Sequence, residues 1–193
     1  MRGPIFPGVP SVEGAACRAL LISGERVKKV FETLASTPAK VRREVAAMSP
    51  SEIRKKPAPR KWSVQQVLAH LEDIEGPGFR GRVEAIVSGD HPLLPSFEQE
   101  ARAIERRYDR TDPRRTLDSW ARQRRGNLKW LMTLKPAQLQ RRGRHEKVGE
   151  MTAGEFVHEW AFHDLGHLKQ ILEVKRYALY SRIGNMRKYY RLS

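Results

Sequence analysis

The chain has 193 residues, enough for one domain with a hydrophobic core, and its 39% apolar and 31% charged content fits a soluble globular protein and excludes a disordered chain. No apolar stretch approaches the ~20 residues needed to cross a bilayer, so a membrane protein is excluded as well. Net charge is +15, with a sequence pI of about 10.4, and Ala101 to Glu150 alone holds 15 Lys/Arg against 6 Asp/Glu. That surface attracts nucleic acid, acidic lipids and other anions without a specific site, and it equally suits an arginine-rich solvated face.

The first ~20 residues, with Pro4, Pro7, Pro10 and several glycines, read as an extended or poorly ordered arm. They lack the continuous apolar run of a signal peptide. Cys17 is the only cysteine, so no internal disulfide can form and a reducing cytoplasm is the expected compartment. The bundle is expected over residues 21–180, followed by a basic tail over 181–193.

The first helix shows Val27, Val30, Phe31, Leu34, Val41, Val45 and Met48 at helical steps, with a kink or break expected at Pro38. Ser63 and Gln66 form a capping-box pattern that opens the second helix, whose stripe is Val64, Val67, Leu68, Leu71 and Ile74. Phe79, Val83, Ile86 and Val87 resume the period beyond Gly76-Pro77-Gly78, which predicts one long helix kinked near Pro77. Residues 88–111 form a crossover, with a polar helical piece from Phe97 to Tyr108. Asp112-Pro113 starts the third helix, whose buried face is Leu117, Trp120, Ala121, Leu128, Leu131 and Leu134, and Pro136 limits its end. Thr152 and Glu155 cap the fourth helix, which carries Phe156, Trp160, Leu168, Ile171 and Val174. No segment alternates as a half-buried strand does. The expectation is an all-α four-helix bundle with a long crossover between the second and third helices.

The sharpest chemical feature is His163-Asp164-Leu165-Gly166-His167. Residues four apart on a helix have Cβ atoms ~5–6 Å apart, so two imidazoles can share one ion. Phe156, Trp160, His163, His167 and Ile171 advance by four, three, four and four, which puts both histidines on the inward stripe. His70, at the edge of the second helix's stripe, is the natural third ligand. Three neutral imidazoles leave an ion at least one open position, as in a catalytic site. The same pattern also suits core histidines bonded to backbone or carboxylates. His91 and His145 fall in polar loops, and His158 points ~140° away from His163. Asp73, Glu75 and Glu159 are candidate proton carriers or orienting groups, and Arg124, on the third helix's inner stripe, is either an anion holder or a snorkelling surface residue.

Trp62-Ser63-Val64-Gln65-Gln66-Val67-Leu68-Ala69-His70-Leu71-Glu72-Asp73 resembles the helix start of the DinB-like superfamily. So does Gly149-x-x-Thr152 followed by His163-Asp164-x-x-His167-x-x-Gln170, the similarity running from about Val27 to Val174. The resemblance implies an up-down-down-up four-helix bundle of the DinB/YfiT type. It also implies a divalent ion, zinc or nickel, on His70, His163 and His167. Relatives of this kind include enzymes that use a low-molecular-weight thiol and others named as metal-dependent hydrolases.

Three functions follow as expectations. One is a metal-dependent enzyme, a thiol-dependent S-transferase or a hydrolase, acting on a small-molecule substrate with Asp73 and Glu159 in catalytic roles. The alternative is a non-catalytic binding protein whose basic face, Arg106 to Arg144, engages nucleic acid nonspecifically; no zinc finger or helix-turn-helix signal supports sequence-specific binding. The third is a homodimer formed through helix faces, which no feature of the sequence locates.

Overall fold

The computed structural model describes residues 24–191, with side chains from Lys28 onward. The N-terminal arm and Cys17 lie outside the described residues. The elements are α1 (Gly24–Ala46), α2 (Pro50–Arg54), α3 (Val64–Ile74), a π-helical turn (Glu75–Arg80), α4 (Gly81–Ser88), β1 (Leu93–Leu94) and α5 (Gln99–Glu105). A 3-10 turn (Tyr108–Arg110) follows, then α6 (Pro113–Leu131), α7 (Pro136–Leu139), β2 (Arg142–His145), β3 (Gly149–Thr152) and α8 (Ala153–Tyr180), and a last 3-10 turn at Gly184–Lys188.

Helix starts follow the local chemistry of their caps. Ser63 Oγ accepts the Gln66 amide while Gln66 Oε1 accepts the Ser63 amide at 3.1 Å, and Thr152 and Glu155 do the same at α8. Asp112 Oδ1 accepts the Arg115 amide at 2.8 Å, with Pro113 in the first turn of α6, where its missing N–H costs nothing.

Four rods make the bundle: α1, the α3–π–α4 rod, α6 and α8. α1 lies against α8 and α6, and the α3–π–α4 rod lies against α6 and α8. The core has two parts. Val41, Val64, Leu68, Leu71, Leu117 and Ile171 fill one end. Leu34, Phe79, Ile86, Leu131, Phe156 and Trp160 fill the other.

The expected kink near Pro77 is a π-helical turn, in which an extra residue is accommodated without breaking the rod. Gly78 permits it, because a Cβ there would collide with Ile74. The expected break at Pro38 is absent, since α1 runs unbroken through it. A helix-interior proline leaves the carbonyl four residues back without its amide donor. Here that carbonyl, Leu34 O, accepts Arg124 Nη1 at 3.0 Å.

The all-α expectation is corrected by a small sheet in the order β1-β2-β3. β1 pairs parallel with β2 through Leu93↔Arg144 and Leu94↔His145, and β2 pairs antiparallel with β3 from Arg142↔Thr152 to His145↔Gly149. Gly143 lets the strands approach α4, since a Cβ there would sit 2.9 Å from Ile86 and 3.0 Å from the Pro92 carbonyl. The sheet ties the crossover to the start of α8. Among the described residues, no helix is long and apolar enough to cross a membrane.

Candidate metal centre

α3 presents His70 and α8 presents His163 and His167, whose donor nitrogens gather within 4.8 Å of one another. His163 Nε2 lies 3.1 Å from His70 Nε2 and 3.0 Å from His167 Nε2. A ring nitrogen carries one in-plane proton or one lone pair, so His163 Nε2 can take part in only one of these contacts as a hydrogen bond. A cation accepts lone pairs from all three, and the donor set therefore fits a divalent transition metal.

The surroundings keep the imidazoles neutral, the form that ligates. Burial pushes His70 down to about 3 and His163 to about 2, helped by the neighbouring imidazoles, and burial also lowers His167. His167 Nδ1–H donates to Gln170 Oε1 at 2.8 Å, which leaves the lone pair on Nε2. Nδ1 of His70 and of His163 are buried without a hydrogen-bond partner.

Aromatic rings wall the site. Trp62 and Phe97 approach His70 at 5.1 and 5.9 Å between centroids, and Phe79 meets His163 edge-on at 5.0 Å. The sequence marked Trp62 and Phe79 only as parts of a motif and a stripe. Phe97 reaches the site by tertiary placement of the crossover, which left no local signal.

Asp73 is 7% exposed and its carboxylate is fully engaged. It accepts Arg102 Nη2 at 2.6 Å, Arg102 Nε at 3.0 Å and the Tyr108 hydroxyl at 2.7 Å. Burial opposes its charge, but these donors outweigh burial and hold the carboxyl below its ordinary value. Asp73 thus anchors α5 and the 3-10 turn to α3, one turn beyond His70. Glu159 differs. It lies one turn before His163, its Oε2 is buried without a partner, and burial raises its pKa against a partial pull from Arg82.

Arg124 is neither an exposed residue nor an anion holder. At 2% exposure it spans Glu75 and Asp164, with Nη2–Glu75 Oε2 at 2.7 Å and Nη1–Asp164 Oδ2 at 2.5 Å. Glu75 also accepts Trp120 Nε1, Trp160 Nε1 and Asn127 Nδ2, so it is bound throughout and sits in the structural core. Burial raises Asp164 to about 6 and the Arg124 guanidinium pulls it back. Because Asp164 follows His163 directly, this network fixes the rotation of α8 that turns the histidines inward. The other histidines stay apart: His91 pairs with Glu150 at 2.8 Å, His145 Nδ1 accepts the Lys147 amide, and His158 Nδ1–H donates to Gly154 O.

The fold has known counterparts. Aligned structurally, 80% of the chain superposes on 89% of YfiT from Bacillus subtilis, with a TM-score of 0.75 and 23% identity. That protein is described as a probable metal-dependent hydrolase with an unusual four-helix bundle topology. At this identity the match establishes the shared topology of the bundle. None of the curated proteins matches the chain. The DinB superfamily model matches residues 33–171, which takes in all three histidines, and the chain belongs to that superfamily.

Proposed function

We propose that the chain is a metal-dependent hydrolase acting on a small molecule. The observation that carries this reading is the convergence of three Nε2 atoms on one point, with Glu159, whose Oε2 is buried and unpartnered, one helical turn before His163 on α8. His70, His163 and His167 would hold the ion, with zinc and nickel among the metals that imidazole ligands suit. A bound ion of this kind supplies a Lewis acid that lowers the pKa of water or of a thiol at neutral pH.

The chain's own residues supply the rest. Gln170 fixes the His167 ring, and Trp62, Phe79 and Phe97 keep bulk water from the imidazoles. Glu159 is the proton carrier, and its Oε2 is the atom that takes and returns the proton, because no neighbour occupies it. Asp73, committed to Arg102 and Tyr108, acts by holding the crossover over His70.

The test is an ester, amide and lactone panel assayed with zinc- and nickel-loaded protein, with and without a low-molecular-weight thiol. The reading expects thiol-independent hydrolysis that falls at least about 100-fold in Glu159→Gln with metal content unchanged. Turnover only with thiol would make the protein an S-transferase instead, and equal rates in Glu159→Gln would remove the carboxyl from the mechanism.

A further inference from the structure

Beside the metal centre, the start of α4, the β1 segment and α5 line an open pocket of about 470 Å³. Ala85, Leu94, Pro95 and Phe97 give it largely apolar walls. Phe97 is the partition, since the same ring stands 5.9 Å from His70.

Three charged groups also reach this wall, and two of them are held in ion pairs. Arg102 is bound to Asp73 at 2.6 and 3.0 Å, and Glu98 is paired with Lys147 at 2.6 Å. Arg82 is the exception. Its Nη2 donates to the Pro95 carbonyl at 2.6 Å, and no carboxylate of a described residue lies within 4.0 Å of its guanidinium. Glu159 is near enough for their charges to interact, yet the two form no ion pair. Arg82 is half-buried, so its charge has lost water without gaining a counter-ion, and burial lowers its pKa accordingly.

An open apolar pocket of this size with one fork-shaped cation that has no carboxylate partner has the makings of a small-ligand site. A single guanidinium balances a single negative charge and matches the two oxygens of a carboxylate. We infer that this pocket binds an apolar monocarboxylate, its carboxylate on Arg82 and its body against Ala85, Leu94 and Phe97. That this ligand is part of the substrate, with the carboxylate as its non-reacting end, rests on the hydrolase reading. The binding itself does not.

The experiment is calorimetric titration of the full chain with octanoate, octan-1-ol and octyl phosphate. Octanoate should bind wild type at least about tenfold more tightly than octan-1-ol, and Arg82→Gln should weaken octanoate by at least about tenfold. Ala85→Phe, which fills the pocket and leaves the charge in place, should abolish octanoate binding. A His163→Ala/His167→Ala protein should retain octanoate affinity within about threefold, because Arg82 and not the imidazoles holds the anion. A failure of the metal reading therefore leaves this result standing. Octanoate affinity unchanged in Arg82→Gln, or equal affinity for octanoate and octan-1-ol, overturns the inference. Preference for octyl phosphate over octanoate overturns the assignment to a monocarboxylate.

Discussion

Arg124 Nη1 donates to the Leu34 carbonyl at 3.0 Å, and that carbonyl is the one Pro38 leaves without a helical donor. The third bundle helix thereby repairs a defect in the first, and the same guanidinium holds Glu75 and Asp164. Removing it leaves two buried carboxylates without their counter-ion and the Leu34 carbonyl without its donor. Arg124→Met is expected to cost about 3–5 kcal/mol in urea unfolding. Pro38→Ala should recover more stability in the Arg124→Met background than in wild type, because the restored amide then serves an otherwise empty carbonyl. Additive effects in this double-mutant cycle would show the two residues to be uncoupled.

Gln170 acts on the site only through His167. Gln170→Leu should keep the fold, as judged by circular dichroism, and weaken zinc binding by about 10–100-fold in a competition titration. Unchanged affinity would mean that the imidazole needs no help to present Nε2.

Glu159 gives a pH signature. Its pKa is raised by burial above 4.5, so the folded state holds this proton more tightly than the unfolded chain does. The stabilising contribution is complete below pH 4.5 and is lost as pH rises through the folded value. Glu159→Gln carries no charge at any pH. It should therefore be more stable than wild type at pH 7, with the difference closing at pH 4, as read by urea midpoints. A variant less stable than wild type at pH 7 but not at pH 4 would show that the carboxylate has a stabilising partner.

Asp73 should behave in the opposite way, through the crossover. Asp73→Asn removes the anion that Arg102 grips, so amides of residues 99–110 should exchange faster with deuterium while those of α8 do not change. Uniform exchange across the chain would deny Asp73 its anchoring role.

Much of this fold was legible from local chemistry. Ser63/Gln66, Asp112-Pro113 and Thr152/Glu155 announce helix starts because capping involves only residues three apart. The triad was legible because His163 and His167 share the phase of Phe156 and Trp160. The sheet was not, since two- and four-residue strands such as Arg142–His145 are too short to alternate and are held by pairing across the chain. The break that Pro38 suggested is absent for a similar reason: its compensation comes from Arg124, 86 positions away. Phe97, Arg82 and the Asp73–Arg102–Tyr108 cluster likewise exist only once the crossover has folded back.

The central claim is that His70, His163 and His167 hold one metal ion. Its most direct test is metal content by mass spectrometry on protein purified without a histidine tag, for wild type and for each His→Ala variant. The account predicts near-stoichiometric zinc or nickel in wild type, on isolation or after reloading, and its loss in the variants. A folded wild type that neither carries nor takes up either ion would contradict it, and the three imidazoles would then be core residues.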